Sequence, residues 1–171
     1  MAAHQQLEPV DPLDSLRIKA VDPESADARW CVEQYFTELG TLFEDGFDPS
    51  QARPVDPRDL TPPRGVCLVA ESNGVLLGTG SLKPLESTVG YIKRMWVSPE
   101  ARGLGLGKRI LSELEDWARR LEYTHVRLET KRELKRAIAM YRTRGYVAIE
   151  RFNDELYGDF WFEKTLDGGP S

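Results

Sequence analysis

The segment that most constrains this chain is Arg102-Gly103-Leu104-Gly105-Leu106-Gly107-Lys108. It divides a strand-like stretch, closed by Ser98-Pro99, from apolar residues at helical spacing: Ile110, Leu111, Leu114, Trp117, Ala118 and Leu121. Alternating glycines leave backbone N–H groups open to a ligand, because no side chain shields them. The helix that begins there adds unpaired amides and the positive end of its dipole. Arg102, Lys108 and Arg109 add formal positive charge. Together these describe a cradle for an anion, most naturally a phosphate.

Two common phosphate loops do not fit. A P-loop needs glycine at 102 and a hydroxyl residue at 109, where Arg102 and Arg109 stand. A dinucleotide fingerprint needs glycine at 108 or 110, where Lys108 and Ile110 stand. That fingerprint also follows the first strand of a βαβ unit, whereas this turn follows a hairpin.

The rest of the chain sets the frame. Its 171 residues predict one domain over 15–167, with a disordered tail at 1–14 and a flexible end at 168–171. Leu16 to Ala20 alternates as a strand. Asp22-Pro23-Glu24 reads as a helix start, with Asp22 as cap, and Val32, Tyr35, Phe36, Leu39, Leu42 and Phe43 carry the helix to about 43. Pro49, Pro54, Pro57, Pro62 and Pro63 make 44–65 a long loop, a kind often tied to function. Asn73-Gly74 predicts a hairpin between 66–70 and 75–80. Further strands are predicted at 88–97, 125–130, 146–151 and 160–164, and a helix from Glu133 to Arg144 before Gly145. Mixed order of this kind predicts an α/β layer with a partly antiparallel sheet.

Charge and composition exclude several classes. The balance of 23 basic against 28 acidic residues, net −5, favours no nucleic-acid or anionic-membrane partner. No run of 18 apolar residues occurs, and Met1 to Asp14 lacks the basic and apolar regions of a secretory signal. Cys31 and Cys67 read as small buried hydrophobes of a reducing, cytoplasmic protein. With only His4 and His125, and neither beside a cysteine, no metal site is expected.

Lys93 to Gly107, with Arg102, Gly105 and Gly107 as R-x-x-G-x-G, resembles the acetyl-CoA-binding motif of the GNAT family of N-acetyltransferases. Ala137 to Tyr146, with Tyr141, Gly145 and Tyr146 as A-x-x-x-Y-x-x-x-G-[FY], resembles that family's second motif. The resemblance covers about residues 16–166, and Trp161-Phe162-Glu163-Lys164 is similar to the ending of a bacterial subgroup of small members. It implies the GNAT fold: a mixed, mostly antiparallel sheet of six or seven strands with flanking helices. It also implies acetyl-CoA as cosubstrate, no metal, a small-molecule amine as acceptor, and a homodimer by family habit.

Carried over residue by residue, the resemblance gives a candidate site. Met95, Trp96 and Val97 would offer main-chain contacts to the pantetheine arm, where the strand splays from its parallel neighbour. Val97 would also polarise the thioester carbonyl. Gly103, Leu104, Gly105, Leu106 and Gly107 would hold the pyrophosphate through amides, with Arg102 and Lys108 adding charge. Tyr141 would act as general acid toward the departing thiolate, since a phenol and a thiolate have comparable basicity.

The sequence departs from the family at two points. Val89 to Ile92 holds no acid where the family commonly keeps its general base. Glu129, near the end of the next strand, is the candidate instead, with Glu38, Glu71 and Glu86 behind it, or a water ordered by Tyr91 and a relay to solvent. Leu134 stands where an asparagine often helps hold pantetheine. On the acceptor side Tyr35, Glu38, Arg94 and Arg151 are candidates: the acid could draw in an amine, the arginines a substrate carboxylate. Possible activities are acetyl transfer to a small-molecule amine (amino acid, polyamine or antibiotic), transfer to a protein or peptide N-terminus, and acyl-CoA sensing without turnover.

Overall fold

The computed structural model describes residues 11–168. Residues 1–10 of the expected tail, and 169–171, lie outside it. Residues 11–14 form a turn closed by the Asp11 carboxylate, which accepts from the Leu13 amide at 2.8 Å. Leu13 packs against the core and the Ser72 hydroxyl donates to the Asp14 carbonyl.

The chain builds one seven-stranded sheet. In chain order the strands are β1 (Arg17–Ala20), β2 (Val66–Ser72), β3 (Val75–Glu86), β4 (Val89–Val97), β5 (His125–Thr130), β6 (Val147–Ile149) and β7 (Phe160–Thr165). Their spatial order is β1-β2-β3-β4-β5-β7-β6. Every pairing is antiparallel except β4 with β5. Asn73 and Gly74 both take positive φ, 51° and 78°, which suits the two-residue turn joining β2 to β3.

Three α-helices flank the sheet: α1 (Ala26–Leu42), α2 (Leu106–Arg120) and α3 (Lys135–Thr143). The apolar stripe of α2 puts Leu106, Ile110, Leu111, Leu114 and Ala118 in the main core, against Val66, Leu68 and Ala70 of β2. Ile138 and Tyr141 of α3 join the same core. On the opposite face α1 buries Ala28 against Cys67 and Leu60, and Cys31 against Val69 and Trp96. Both cysteines are free and buried. Among the described residues no helix is long and apolar enough to cross a membrane.

The structure corrects several boundaries. Helix α1 is capped by Ser25, whose hydroxyl accepts from the Ala28 amide, and not by Asp22, whose carboxylate closes a turn on the Glu24 amide. The long loop carries two 3₁₀ turns, Pro49–Gln51 and Pro57–Leu60, each capped by the aspartate before its proline, Asp48 and Asp56. Helix α3 starts at Lys135, not Glu133. Strand β6 stops at Ile149, so Arg151 is not in it; β6 is an edge strand with Val147 exposed, and little apolar burial extends it.

Two irregularities shape the centre of the sheet. First, β4 and β5 pair only over Val89–Tyr91 and His125–Arg127. Beyond that, β4 stays with β3 to Val97 while β5 stays with β7 to Thr130, so a slot opens between them. Second, β4 bulges. Lys93 pairs with Ser81 and Trp96 with Thr79, so Arg94 and Met95 share the place opposite Gly80. Arg94 takes the strain, with φ of +57°, a left-handed conformation uncommon outside glycine.

Candidate active site

Below the slot lies a cavity of about 980 Å³. Its walls come from α1, the proline-rich loop, β4, the glycine turn, the end of β5 and the start of α3. On one side Gly103 and Gly105, at φ +78° and +82°, keep the turn open; a Cβ on either would meet nothing within 4 Å. Gly105 is the helix cap of α2 and has no side chain to occupy the free amides. Gly107 is different: a Cβ there would press the Met140 sulfur at 3.2 Å. Lys108 lines the cavity beside them.

Arg102 lines the cavity as well. Its guanidinium ion-pairs with Glu38, and its Nε donates to the Val97 carbonyl at 3.1 Å. Glu38 also accepts from the Trp96 indole at 2.8 Å. This brace ties α1 to β4 and the turn. Arg102 and Glu38, expected on phosphate and acceptor, both line the cavity and pair with one another there. Trp96 is buried, edge-on to Trp30 at 6.0 Å between centroids. From Ile92 to Val97 the β5-facing edge of β4 has no partner strand, and alternate backbone groups of Met95, Trp96 and Val97 lie along it. The Leu104 side chain points to solvent and does not line the cavity, so only its backbone is available; Leu106 is buried in the core.

Deeper in, Tyr141 of α3 lines the cavity with its ring packed on Tyr146 and Phe162, centroids at 5.5 and 6.2 Å. Burial pushes its hydroxyl well above the usual phenol range, with the charge of Glu129 acting in the same direction. Tyr35 is raised in the same way.

Glu129 stands on the β5 wall. The Tyr91 hydroxyl donates to its Oε2. Tyr91 in turn accepts from the Asn153 amide at 3.0 Å, and Asn153 Oδ1 accepts from the Trp161 indole at 2.9 Å. The parallel register explains the meeting: Tyr91 pairs with Arg127, and Glu129 is the next residue on that face. Glu129 of β5 therefore places a carboxylate across the slot from the acid-free stretch of β4. Burial raises the Glu129 carboxyl above its ordinary range, partly opposed by the Tyr91 hydrogen bond and by Lys93. Lys93, itself lowered by burial, lies 3.8 Å from the buried Glu155.

Arg94 lines the cavity over the Phe36 ring, 5.5 Å from its centroid. Arg151 is placed elsewhere: it donates to the carbonyls of Asn153 and Glu155 at 2.7 and 3.4 Å, stacks on Trp161, and does not line the cavity. It holds the 151–157 loop together. Asn153 and Trp161 were not singled out for the site from sequence. Nothing local marks them, because Asn153 sits in irregular chain 62 residues from its partner Tyr91. Among the described residues no cluster of His, Cys, Asp or Glu has the form of a metal site.

A slotted sheet with a glycine turn at the mouth of the slot defines a class, and comparison with known proteins agrees. The model of the acetyltransferase (GNAT) family matches residues 30–146. An uncharacterized N-acetyltransferase of Schizosaccharomyces pombe is 31% identical over 129 residues, 74% of this chain and 78% of that protein. The N-alpha-acetyltransferase RimI of Mycobacterium tuberculosis is 32% identical over 152 residues, 85% of this chain and 90% of RimI. The structure of YncA from Salmonella typhimurium with its cofactor acetyl-CoA superposes with a TM-score of 0.65 at 21% identity, covering 92% of this chain and 98% of YncA. The chain belongs to the GNAT family and is an acetyltransferase.

Proposed function

We propose that the protein transfers an acetyl group from acetyl-CoA to the primary amine of a small molecule, by direct attack with both substrates bound. The observation that carries this reading is the joining, in one cavity, of a slot with an unpaired strand edge, a glycine-opened helix N-terminus, Tyr141 and Glu129. The fit to acetyl-CoA rests on the same features. Open space over Gly103 and Gly105 suits a pyrophosphate, Lys108 adds charge, and the β4 edge suits an extended amide-bearing arm. Bound there, acetyl-CoA supplies a thioester, an activated acyl group with a thiolate as leaving group.

The residues then divide the proton work. An alkylammonium with a pKa of about 10.4 is only about one part in a thousand free base at neutral pH. Glu129, held by Tyr91 and raised above its ordinary range by burial, accepts that proton, directly or through a water. Tyr141 donates its hydroxyl proton to the sulfur as the C–S bond breaks; the nitrogen gives up its second proton to water as the N–C bond forms, and Tyr141 regains one from solvent. Its raised pKa keeps it protonated until then. Walls on either side of the slot hold the partners together, which supplies orientation worth several kcal/mol in well-aligned reactions, about 7 or more.

The test is thiol release from acetyl-CoA with a panel of amines: amino acids, polyamines, aminoglycosides and peptide N-termini. Amine-dependent release that Gly105→Glu abolishes is expected. Tight acetyl-CoA binding without release for any amine would instead favour a sensor.

A further inference from the structure

Arg94 has no counterpart in the proton chemistry, and the bulge explains why it is in the cavity. On β4 Ile92 and Met95 face the core under α2, while Trp96 faces α1 and Lys93 lines the cavity. Strict alternation would send residue 94 into the core with Ile92. The extra residue and its left-handed backbone instead put two successive cations, Lys93 and Arg94, on the acceptor wall.

Their surroundings differ. Lys93 faces Glu155, and Lys131, further along the wall, lies 3.7 Å from Asp159. Arg53 is at the exposed rim. Arg94 is partly buried and, among the described residues, has neither an ion pair nor a side-chain hydrogen bond; its one close neighbour of note is the Phe36 ring. A guanidinium shielded from water and left without an acid is incomplete, and its fork fits a carboxylate. Strained backbone at such a site is a common sign of function.

The rest of the wall limits what carries that carboxylate. Glu129 calls for a cationic amine in the same cavity as Arg94, and Tyr35 lies within electrostatic range of both. Beyond them Phe36, Phe43, Phe47 and Tyr157 form a continuous aromatic cluster, with neighbouring centroids 4.5 to 6.1 Å apart. Resting on the acetyl-transfer reading above, we propose that the acceptor is a free amino acid with a large apolar or aromatic side chain: amine at Glu129, carboxylate on Arg94, side chain on the aromatic cluster. A polyamine would set a cation against Arg94.

The test compares phenylalanine with phenethylamine, which differ by the carboxylate, in wild type and Arg94→Gln. Turnover is followed by thiol release, and binding to the protein with CoA present by calorimetry. Wild type is expected to favour phenylalanine about tenfold or more in kcat/KM and in affinity, the scale of a charge-assisted hydrogen bond. In Arg94→Gln that ratio falls toward one, and Arg94→Lys restores part of it. An unchanged KM for acetyl-CoA in the variants shows that the fold is intact. Equal use of both amines by wild type, or a ratio unmoved by Arg94→Gln, overturns the proposal and leaves acetyl transfer standing. Selective phenylalanine binding with no turnover of any amine overturns the transfer reading and keeps the carboxylate site. Neither binding nor turnover of phenylalanine, with another amine acetylated, overturns the amino-acid assignment alone.

Discussion

The two ends of the cavity are built on opposite plans. The end at the glycine turn is backbone: a short contiguous turn whose glycines contribute by lacking side chains. The opposite end is side chains drawn from α1, β4, β5 and the 151–157 loop, held by hydrogen bonds such as Asn153 to Tyr91 and Trp161 to Asn153. A backbone site tolerates most changes nearby and fails when something is added. A side-chain site fails when something is removed. Substitutions at the two ends should therefore separate cosubstrate binding from chemistry.

The largest effect is expected at the turn. Gly105→Glu puts a carboxylate into the proposed anion cradle and a Cβ on a left-handed residue, and that Cβ meets no atom within 4 Å. Like-charge contact of this kind costs several kcal/mol, so calorimetry should show acetyl-CoA affinity lower by on the order of a thousandfold. Unfolding free energy should drop by only the strain of the residue, about 1–2 kcal/mol. A comparable loss of affinity in Gly105→Ala would show that backbone shape rather than charge decides.

At the other end, Tyr141→Phe removes one proton donor and keeps the packed ring on Tyr146 and Phe162. The turnover number should fall by about a hundredfold, the lower range for general acid catalysis, with acetyl-CoA affinity within about twofold of wild type. Unchanged turnover would remove Tyr141 from the mechanism.

Glu129→Gln sharpens the contrast through pH. Burial raises this carboxyl, so the acid limb of the wild-type rate should lie above the ordinary carboxylate range and vanish in the variant. Stability should move the other way. A group with a raised folded-state pKa contributes its full stability below the unfolded pKa and loses it as pH rises through the folded value. Relative to wild type, Glu129→Gln should therefore gain melting temperature between mildly acid and neutral pH. A constant difference across that range would show that the carboxyl is not raised.

The smallest effect is expected behind the wall. Asn153→Ala leaves the Trp161 indole unpaired and Tyr91 without its donor, costing about 1–3 kcal/mol in denaturant unfolding. Because Tyr91 then holds Glu129 less firmly, the acid limb should shift as well. A loss of stability with an unmoved limb would make Asn153 purely structural.

The same contrast explains what was legible beforehand. The glycine turn, the hairpin at Asn73-Gly74 and the stripe of α2 are local, so spacing and residue type reveal them. The GNAT resemblance then supplied the sheet, now seen as seven strands. Glu129 was reachable once β4 was seen to lack an acid, but its meeting with Tyr91 depends on the parallel register. The Glu38–Arg102 pair spans 64 residues, and no local pattern shows that the two neutralise each other. The helix start at Ser25 was hidden because Asp22-Pro23 offers an equally good cap sequence. The bulge was hidden because Lys93 to Val97 does not show which residue the pairing skips.

The slot has a mechanical consequence. With three paired residues joining β4 to β5, the sheet is two half-sheets on a short seam, one of four strands and one of three. An extended molecule lying in the slot would act as a supernumerary strand and carry load across the seam. Stiffness at the centre of this protein would then belong partly to its ligand, and the two walls that must approach each other for chemistry would be clamped by one of the reactants.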